Sequence, residues 1–249
     1  MSDIRPRTAC GQPVLNAILQ QLPEAEFESL RPYLEFQEFR IAHCLLQQGS
    51  SIRAVYFLNS GVASMILETP NARSVEIGLS GCEDMVGLLL IGGVERLTYS
   101  VLIQAPGEGF RVSAPTIIRL LPTMPTLNRL LLKRLALRSL EQAQNAACNR
   151  LHNLSQRLAR WLLLTHDRVA SDIIDTTHDF LARMVGADRG TVSWEIADFE
   201  NRGILERRRG SVRIIDRVKL EERSCECYEV LSRFDADVGL RKSSARRPA

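Results

Sequence analysis

A short segment near the C-terminal end of the chain carries side chains that can recognise DNA bases. Arg189 has a planar guanidinium that can donate two hydrogen bonds to guanine, and its neighbours offer hydroxyl groups and an indole N–H. Apolar residues recur here at i, i+4 and i+7, which predicts a helix with one buried face: Val192, Ile196 and Phe199. The residues outside this stripe are Arg189, Gly190, Thr191, Ser193 and Trp194. We expect them to face a duplex, with the alternative for Trp194 that it packs inside the protein.

A second, shorter helix is expected immediately before this segment. Its apolar residues have helical spacing and a glycine ends the pattern: Phe180, Leu181, Met184, Val185 and Gly186. Thr176 and Asp179 resemble a capping box for this helix, and Asp188 is suited to cap the next one. Thr177 and His178 at the helix N-terminus could hold a phosphate. Two short helices joined by a glycine-containing turn are typical of a helix-turn-helix motif, and also of a helical hairpin buried in some other domain.

Arginines dominate the segment that follows the second helix. The residues around Arg209 and Gly210 read as two strands joined by a tight turn. Between positions 202 and 213 the single acid is Glu206, against five arginines: Arg202, Arg207, Arg208, Arg209 and Arg213. A basic hairpin directly after a recognition helix indicates a winged helix-turn-helix, in which Arg207, Arg208 and Arg209 contact DNA phosphates.

Composition places few limits on function. The chain has 249 residues, 45% of them hydrophobic, and a net charge of +3, which permits two modest domains and a nucleic-acid partner without requiring one. The N-terminus lacks the apolar core of a signal peptide and no apolar run reaches the ~18 residues of a membrane span, so we expect a cytoplasmic protein with no membrane partner. The six cysteines are scattered; Cys225 and Cys227 could bind a metal only with ligands from elsewhere, and we predict no metal site.

The N-terminal half shows a pattern of short strands. Residues 1–12 read as a flexible tail and residues 14–34 as short helices. Seven β-type runs separated by turn residues then predict a sandwich or jelly roll: 36–41, 44–48, 54–58, 62–67, 75–79, 99–104 and 110–113.

A long helical stretch, residues 127–166, connects the two halves. Residues Leu130, Leu137, Gln144 and Leu151 recur every seven positions, with partnering residues at Leu140, Ala147 and Leu154. Such a seam favours pairing with a second copy of the chain, the alternative being an intramolecular core helix. We expect Asn149 or Asn153 to interrupt the helix. A closing helix is expected over 218–234, followed by a basic tail.

This order of parts resembles the CRP/FNR family of bacterial transcription regulators. The segment MVGADRGTV (184–192) is similar to the family's I-V-G-x-S-R-E-T-V, and YFLNSG (56–61) and GCEDMVG (81–87) resemble its cyclic-nucleotide-binding roll. The resemblance implies an α+β protein in which a jelly-roll-like β-roll is joined by a long dimerisation helix to a winged helix-turn-helix domain. The expected boundaries are a flexible tail at 1–12, the sensor β-roll at 13–122, the dimerisation helix at 123–149, the DNA-binding domain at 150–222, and a closing helix with the basic tail at 223–249.

The chain departs from the family pattern at both sites. Gly190 stands where the recognition helix has glutamate, and Trp194 where it has a later base reader, so the operator is expected to differ. In the roll, Leu88 stands at the ribose-binding glutamate, and Thr98 and Tyr99 at the phosphate-binding pair. We therefore expect an effector pocket at Gly87, Leu88, Thr98 and Tyr99 but predict no cofactor, leaving a cyclic nucleotide open because Arg96 lies close in sequence. Neither Cys10 nor His43 satisfies the family's iron–sulfur or haem patterns.

These observations predict a homodimeric transcription regulator that binds a near-palindromic operator in double-stranded DNA, with a signal at the β-roll modulating its affinity. The resemblance also implies RNA polymerase as a partner. The chain has no Gly-x-Ser-x-Gly, phosphate-binding loop or His-Glu-x-x-His motif, so an enzyme is not expected. The alternative is a cyclic-nucleotide-type sensor that acts through a protein partner rather than DNA. The sequence does not identify the effector or the operator, or distinguish an activator from a repressor.

Overall fold

Two antiparallel sheets form the N-terminal half of the protein. The computed structural model describes residues 7–8, 11–70, 74–169 and 171–237. Its first seven strands are β1 (Glu35–Phe39), β2 (Cys44–Leu46), β3 (Ala54–Leu58), β4 (Val62–Glu68), β5 (Ser74–Ser80), β6 (Ser100–Ala105) and β7 (Gly107–Ser113). One sheet has the order β1-β7-β3 and the other β2-β6-β4-β5. The seven predicted strands are therefore confirmed, and the two sheets form the expected roll.

The roll closes around apolar side chains contributed by both sheets. Phe57 on β3 lies opposite Phe110 on β7 in the strand register, and both are fully buried. Gly61 makes the turn between β3 and β4 with φ +82°, and a Cβ there would lie 2.7 Å from the carbonyl oxygen of Ala105. This turn therefore requires glycine, because any side chain would collide with the neighbouring backbone.

Two short helices precede the roll, α1 (Ala17–Gln20) and α2 (Glu24–Leu30). In the described part of the expected flexible tail, Thr8 is buried and its backbone N–H donates to Gln12 O at 2.9 Å. Arg7 also donates to Gly11 O at 2.9 Å. These described residues therefore form a hydrogen-bonded turn, and the rest of the predicted tail lies outside the described residues.

The connection to the C-terminal half consists of α3 (Ala114–Leu120), α4 (Pro125–Leu151) and α5 (Leu154–Val169). Glu26 caps α4 from α2, accepting from the backbone N–H groups of Thr126 and Leu127 at 2.9 Å each. Helix α4 begins and ends two residues later than the predicted 123–149. The interruption lies at Asn153, not Asn149: Asn153 Oδ1 accepts from Gln156 N at 3.0 Å, and Gln156 Oε1 accepts from Asn153 N at 3.2 Å. This reciprocal cap starts a new helix.

The C-terminal half contains β8 (Ile173–Asp175), α6 (His178–Val185), α7 (Arg189–Asn201), β9 (Leu205–Arg208), β10 (Ser211–Ile214), α8 (Arg217–Arg223) and α9 (Cys227–Asp237). Strand β8, which the sequence did not indicate, pairs with β10 and completes a three-stranded sheet. The expected single closing helix is two helices, because Ser224 is extended, with ψ 165°. The predicted basic tail lies outside the described residues. Among the described helices, none combines the length and apolar character of a membrane span.

The two halves pack against each other through polar contacts. Gln104 on β6 donates to Thr165 Oγ1 on α5 at 3.0 Å, and both are buried. A buried ion pair joins Arg168 Nε on α5 to Glu83 Oε1 at 2.8 Å. The C-terminal half is thus held against the sheet that contains β4, β5 and β6.

Candidate nucleic-acid interface

Helix α7 presents one buried and one open face. Val192, Ile196 and Phe199 are fully buried. Arg189, Gly190, Thr191 and Trp194 are exposed, and a Cβ built at Gly190 meets no atom within 4 Å. Trp194 is 66% exposed, so its ring does not pack inside the protein. The open face of α7 therefore carries four of the five side-chain positions that the sequence assigned to it.

The turn between α6 and α7 depends on Gly186. This residue ends α6 in the left-handed conformation, with φ +62°. The first helix is capped by Thr177, whose Oγ1 accepts from Phe180 N at 3.2 Å, and not by the expected Thr176. Asp188 occupies the N-cap position of α7, but its side chain forms no capping hydrogen bond. The helix-turn-helix is present, with its first cap displaced by one residue.

Two of the predicted DNA contacts bind each other. His178 Nδ1 lies 2.7 Å from Ser193 Oγ, a contact that ties α6 to α7. Both residues are half-buried, unlike the exposed residues beside them. Burial, and next the positive charges of Arg207 and Arg189, lower the pKa of His178. Ser193 is thus half-buried, and its hydroxyl ties α7 to His178 on α6.

Arg189 lies at the exposed start of α7. Its Nε is 3.3 Å from Asp179 Oδ1, and both side chains are about two-thirds exposed. An ion pair this open to solvent is worth roughly 0–1 kcal/mol. Arg189 can therefore exchange Asp179 for a base or phosphate at little cost.

The hairpin formed by β9 and β10 carries the predicted arginines, which we call the wing arginines: Arg207, Arg208 and Arg209. Gly210 makes its tight turn with φ +79°. In the sequence, Glu206 is the single acid between positions 202 and 213. The structure adds Glu200, which lies on α7. Glu200 Oε1 accepts from Arg207 N at 3.0 Å and its carboxylate also pairs with the Arg207 guanidinium. Accepting this backbone hydrogen bond and the guanidinium lowers the pKa of Glu200.

The remaining wing arginines differ in their pairing. Arg208 Nη2 lies 3.0 Å from Glu206 Oε2. Arg209 is exposed at the turn, and no ion pair joins it to another described residue. The positive charge of the wing is thus partly neutralised on β9 and least compensated at Arg209.

Three of the four residues predicted for the effector pocket line one cleft. Gly87, Leu88 and Tyr99 line a cleft between the roll and α4 with about 360 Å³ of empty space, part of it open to solvent. Thr98 is exposed and does not line it. Burial raises the pKa of Tyr99 to about 12, so its hydroxyl stays protonated at neutral pH.

A buried ion network missed by the sequence analysis borders this cleft. Asp84 pairs with Arg134 at 3.1 Å and also with Arg138. Glu141 lies 2.6 Å from Arg134 Nη1 and 3.2 Å from Arg138 Nη1. Burial would raise the pKa of Glu141, but Arg138 and Arg134 hold it below its usual value. The network could not be seen in the sequence because Asp84 is 50 residues away from Arg134.

The predicted dimer seam is divided between two faces of α4. Leu130 is buried and Leu137 packs on the core of the roll. Gln144 Nε2 donates to Cys227 Sγ at 3.0 Å. Leu130 is therefore covered by the protein's own roll, whereas Leu137 and Gln144 are only half-buried. Leu140 and Ala147 are exposed, on an apolar stripe at three- and four-residue spacing: Leu132, Ala136, Leu140, Ala143, Ala147 and Leu151.

Comparison with known proteins agrees with this architecture. Residues 156–223 match a family model described as the Crp-like helix-turn-helix domain. Over 214 residues the chain is 25% identical to the CRP-like cAMP-activated global transcriptional regulator of Mycobacterium tuberculosis, covering 83% of this chain and 96% of that protein.

Solved structures show the same fold at lower identity. FixK2 from Bradyrhizobium japonicum has a TM-score of 0.66 and 14% identity, covering 77% of this chain and 98% of that one. The c-di-GMP responsive global regulator CLP of Xanthomonas campestris has a TM-score of 0.65 and 17% identity, covering 78% of this chain and 100% of that one.

The similarity thus spans the β-roll, the long helix and the domain that carries α6, α7 and the hairpin. The Mycobacterium tuberculosis and Xanthomonas campestris proteins are both described as global regulators. Residues 156–223 are thus a Crp-like helix-turn-helix domain, and most of the chain is similar to a CRP-like transcriptional regulator.

Proposed function

We propose that this regulator works as a homodimer that binds a near-palindromic DNA operator, with its affinity modulated by a signal at the β-roll. The observation that carries the proposal is the open face of α7, where Arg189, Thr191 and Trp194 are exposed next to the wing arginines. Base-reading side chains on a helix beside phosphate-binding cations are what sequence-specific binding requires. A sensor that acts only through a protein partner would not need base-reading side chains beside phosphate-binding arginines, so this alternative does not account for the surface of α7 and the wing.

Each exposed residue has a distinct role in the proposed complex. Arg189 reads guanine through O6 and N7, while Trp194 contacts a thymine methyl or donates its indole N–H. Gly190 contributes no side chain, so the backbone of α7 can approach the groove closely at that position. Thr177 and His178 at the start of α6, together with Arg209 on the wing, would contact phosphates. Ser193 would act indirectly by holding His178.

The second copy would pack on the exposed apolar stripe of α4. Leu140 is 51% exposed and Leu151 is 75% exposed, and they share one apolar stripe, which is the kind of exposed patch that marks an interaction site. The alanines between them allow two helices to approach closely. Pairing two α4 helices would place two recognition helices roughly 34 Å apart, one turn of DNA, and thereby favour a two-fold symmetric site.

The signal is proposed not to be a cyclic nucleotide held through the family's usual contacts. Leu88 offers no ribose contact, and Thr98 does not line the cleft. The guanidinium groups of Arg134 and Arg138 could meet an anion, but they are already paired with Asp84 and Glu141. An anionic effector would have to displace a buried carboxylate, which is costly. We further propose RNA polymerase as a partner, and the cytoplasm as the compartment where the protein meets DNA.

The test is selection from a random-sequence DNA pool by the full-length protein, followed by titration of the enriched site at two salt concentrations. Enrichment of a two-fold symmetric site, with affinity falling steeply as salt rises, supports the proposal. The same selection with Arg189→Ala should lose the preferred base at one position in each half-site. If the wild-type protein enriches asymmetric or no sequences with and without cell-extract small molecules, the proposed function is wrong.

A further inference from the structure

Four side chains that commonly bind transition metals meet at the joint between α4 and α5. Cys148 lies in the last turn of α4, and His152 directly follows that helix. Cys225 and Cys227 come from the segment that begins α9. One donor atom from each of these four residues lies within 4.8 Å of the other three. The cluster is not apparent in the sequence, because most of the DNA-binding domain lies between the pair Cys148 and His152 and the pair Cys225 and Cys227.

The distances between the donor atoms fit a tetrahedral zinc ion. Cys148 Sγ lies 3.5 Å from Cys225 Sγ, and Cys227 Sγ lies 3.6 Å from His152 Nδ1. With zinc bonds of about 2.3 Å to sulfur and about 2.0 Å to nitrogen, a tetrahedron has edges of about 3.8 Å and about 3.6 Å. Three cysteines and one histidine are also one of the usual ligand sets of structural zinc.

Two neighbouring side chains are positioned to support such a site. His152 Nε2 lies 3.1 Å from Glu226 Oε1, so the carboxylate fixes the ring with Nδ1 directed toward the thiols. Gln144 Nε2 donates to Cys227 Sγ at 3.0 Å, which stabilises a thiolate. A carboxylate on the far nitrogen of a histidine ligand and hydrogen bonds to ligand sulfur are typical of metal centres.

The burial of the cluster also favours a metal over unligated thiols. Cys148, Cys225 and Cys227 are all nearly inaccessible and pack against one another as a separate buried group. The exposed Cys44 lies elsewhere on the roll. Three thiols gathered around one imidazole gain little from apolar packing, whereas zinc would bind all four donors at once.

We propose that Cys148, His152, Cys225 and Cys227 bind one Zn²⁺ ion per chain. Binding releases the thiol protons to solvent, and Zn²⁺ takes up the three thiolates and the neutral imidazole with no change in oxidation state. The ion ties the end of α4 to the start of α9 across the joint at Asn153. This role is independent of the DNA sequence or the effector that the protein recognises.

The first test is the zinc content of full-length protein purified under reducing conditions without metal-affinity chromatography. We expect one zinc per chain in the wild type and in Cys44→Ser, the matched control, and less than a tenth of that in Cys148→Ser and Cys225→Ser. Zinc retained by both variants, or lost equally from Cys44→Ser, would overturn the assignment. A wild-type protein that takes up no zinc when it is offered one equivalent overturns it as well.

A second measurement uses only the wild type, because a ligand variant can fail to fold. Co²⁺ exchanged into the protein should give the strong visible bands of tetrahedral coordination and the near-ultraviolet bands of thiolate-to-cobalt charge transfer. Stoichiometric Zn²⁺ should abolish both sets of bands. Absence of these bands in reduced protein, or a Cys148–Cys225 disulfide found by mass spectrometry in protein kept anaerobic, would show that the cluster is not a metal site.

Discussion

Trp161 on α5 donates its indole N–H to Glu76 Oε2 on β5 at 3.0 Å. The same carboxylate accepts from Ser64 Oγ at 2.9 Å. This contact joins the sheet that contains β4, β5 and β6 to the C-terminal half, and Glu76 is half-buried there. Burial, opposed by hydrogen bonds from Trp161 and Ser64, raises the pKa of Glu76 from 4.5 to about 7. The interface between the two halves therefore contains a carboxyl group that titrates near neutral pH.

This titration predicts that acid stabilises the folded protein. Between pH 4.5 and about 7 the native Glu76 holds a proton that the unfolded chain has released, so the free energy of unfolding falls as pH rises through this window. Glu76→Gln keeps a neutral acceptor for Trp161 and should remove this fall, on the order of 1–3 kcal/mol. Denaturant unfolding at pH 4.5 and at about pH 7 measures this change in the free energy of unfolding. The exposed Glu68→Gln is the control, and an unchanged pH dependence in Glu76→Gln would show that another group is responsible.

Arg189→Ala and Arg209→Ala should have different effects on DNA binding. Loss of Arg189 removes a base contact and should weaken the selected site by about 1–3 kcal/mol while leaving random DNA nearly unaffected. Loss of Arg209, which no ion pair joins to another described residue, should weaken all sequences alike and reduce the salt slope by about 1. Fluorescence anisotropy on specific and scrambled duplexes distinguishes them. Equal losses on both duplexes for Arg189→Ala would contradict its role as a base reader.

Trp194→Ala should affect DNA binding without affecting stability. The side chain is 66% exposed, so its removal should change the free energy of unfolding by no more than about 0.5 kcal/mol. Phe199→Ala on the buried face of the same helix should cost about 3–5 kcal/mol. Thermal unfolding and duplex titration of both variants provide the comparison. A large loss of stability in Trp194→Ala would mean that the indole packs against the protein.

The sequence predicted those parts of the structure that local patterns determine. Glycine and proline turns separate the seven strands of the roll, and helical periodicity with Gly186 identifies the helix-turn-helix. Strand β8 was missed because three residues show no clear alternation, and it forms by pairing with β10. Sequence patterns within a segment do not predict a strand that is stabilised mainly by pairing with a distant strand.

Contacts between distant segments account for the remaining differences. Cys148 and Cys225 are 77 residues apart, and their convergence depends on how α9 packs against α4. Glu200 meets Arg207 only because α7 and β9 form a corner. The seven-residue repeat in α4 was correctly seen, but periodicity alone does not tell which of two helix faces the roll covers. Of the predicted seam residues, Leu130 is buried against the roll and Leu140 is 51% exposed.

The exposed stripe of α4 predicts how the proposed dimer can be disrupted. Leu140→Lys places a charge in the middle of the exposed stripe of α4 and should convert the dimer to a monomer of 28.0 kDa without unfolding it. Val218→Lys is the control, because Val218 on α8 is also open to solvent, at 65% exposure against 51% for Leu140, and lies on another helix. Sedimentation velocity gives the mass of each variant, and thermal unfolding checks the fold. A dimer that survives Leu140→Lys would mean that the subunits pair through a surface other than this stripe, because a desolvated lysine pair at the centre of a helix seam is not tolerated without compensation.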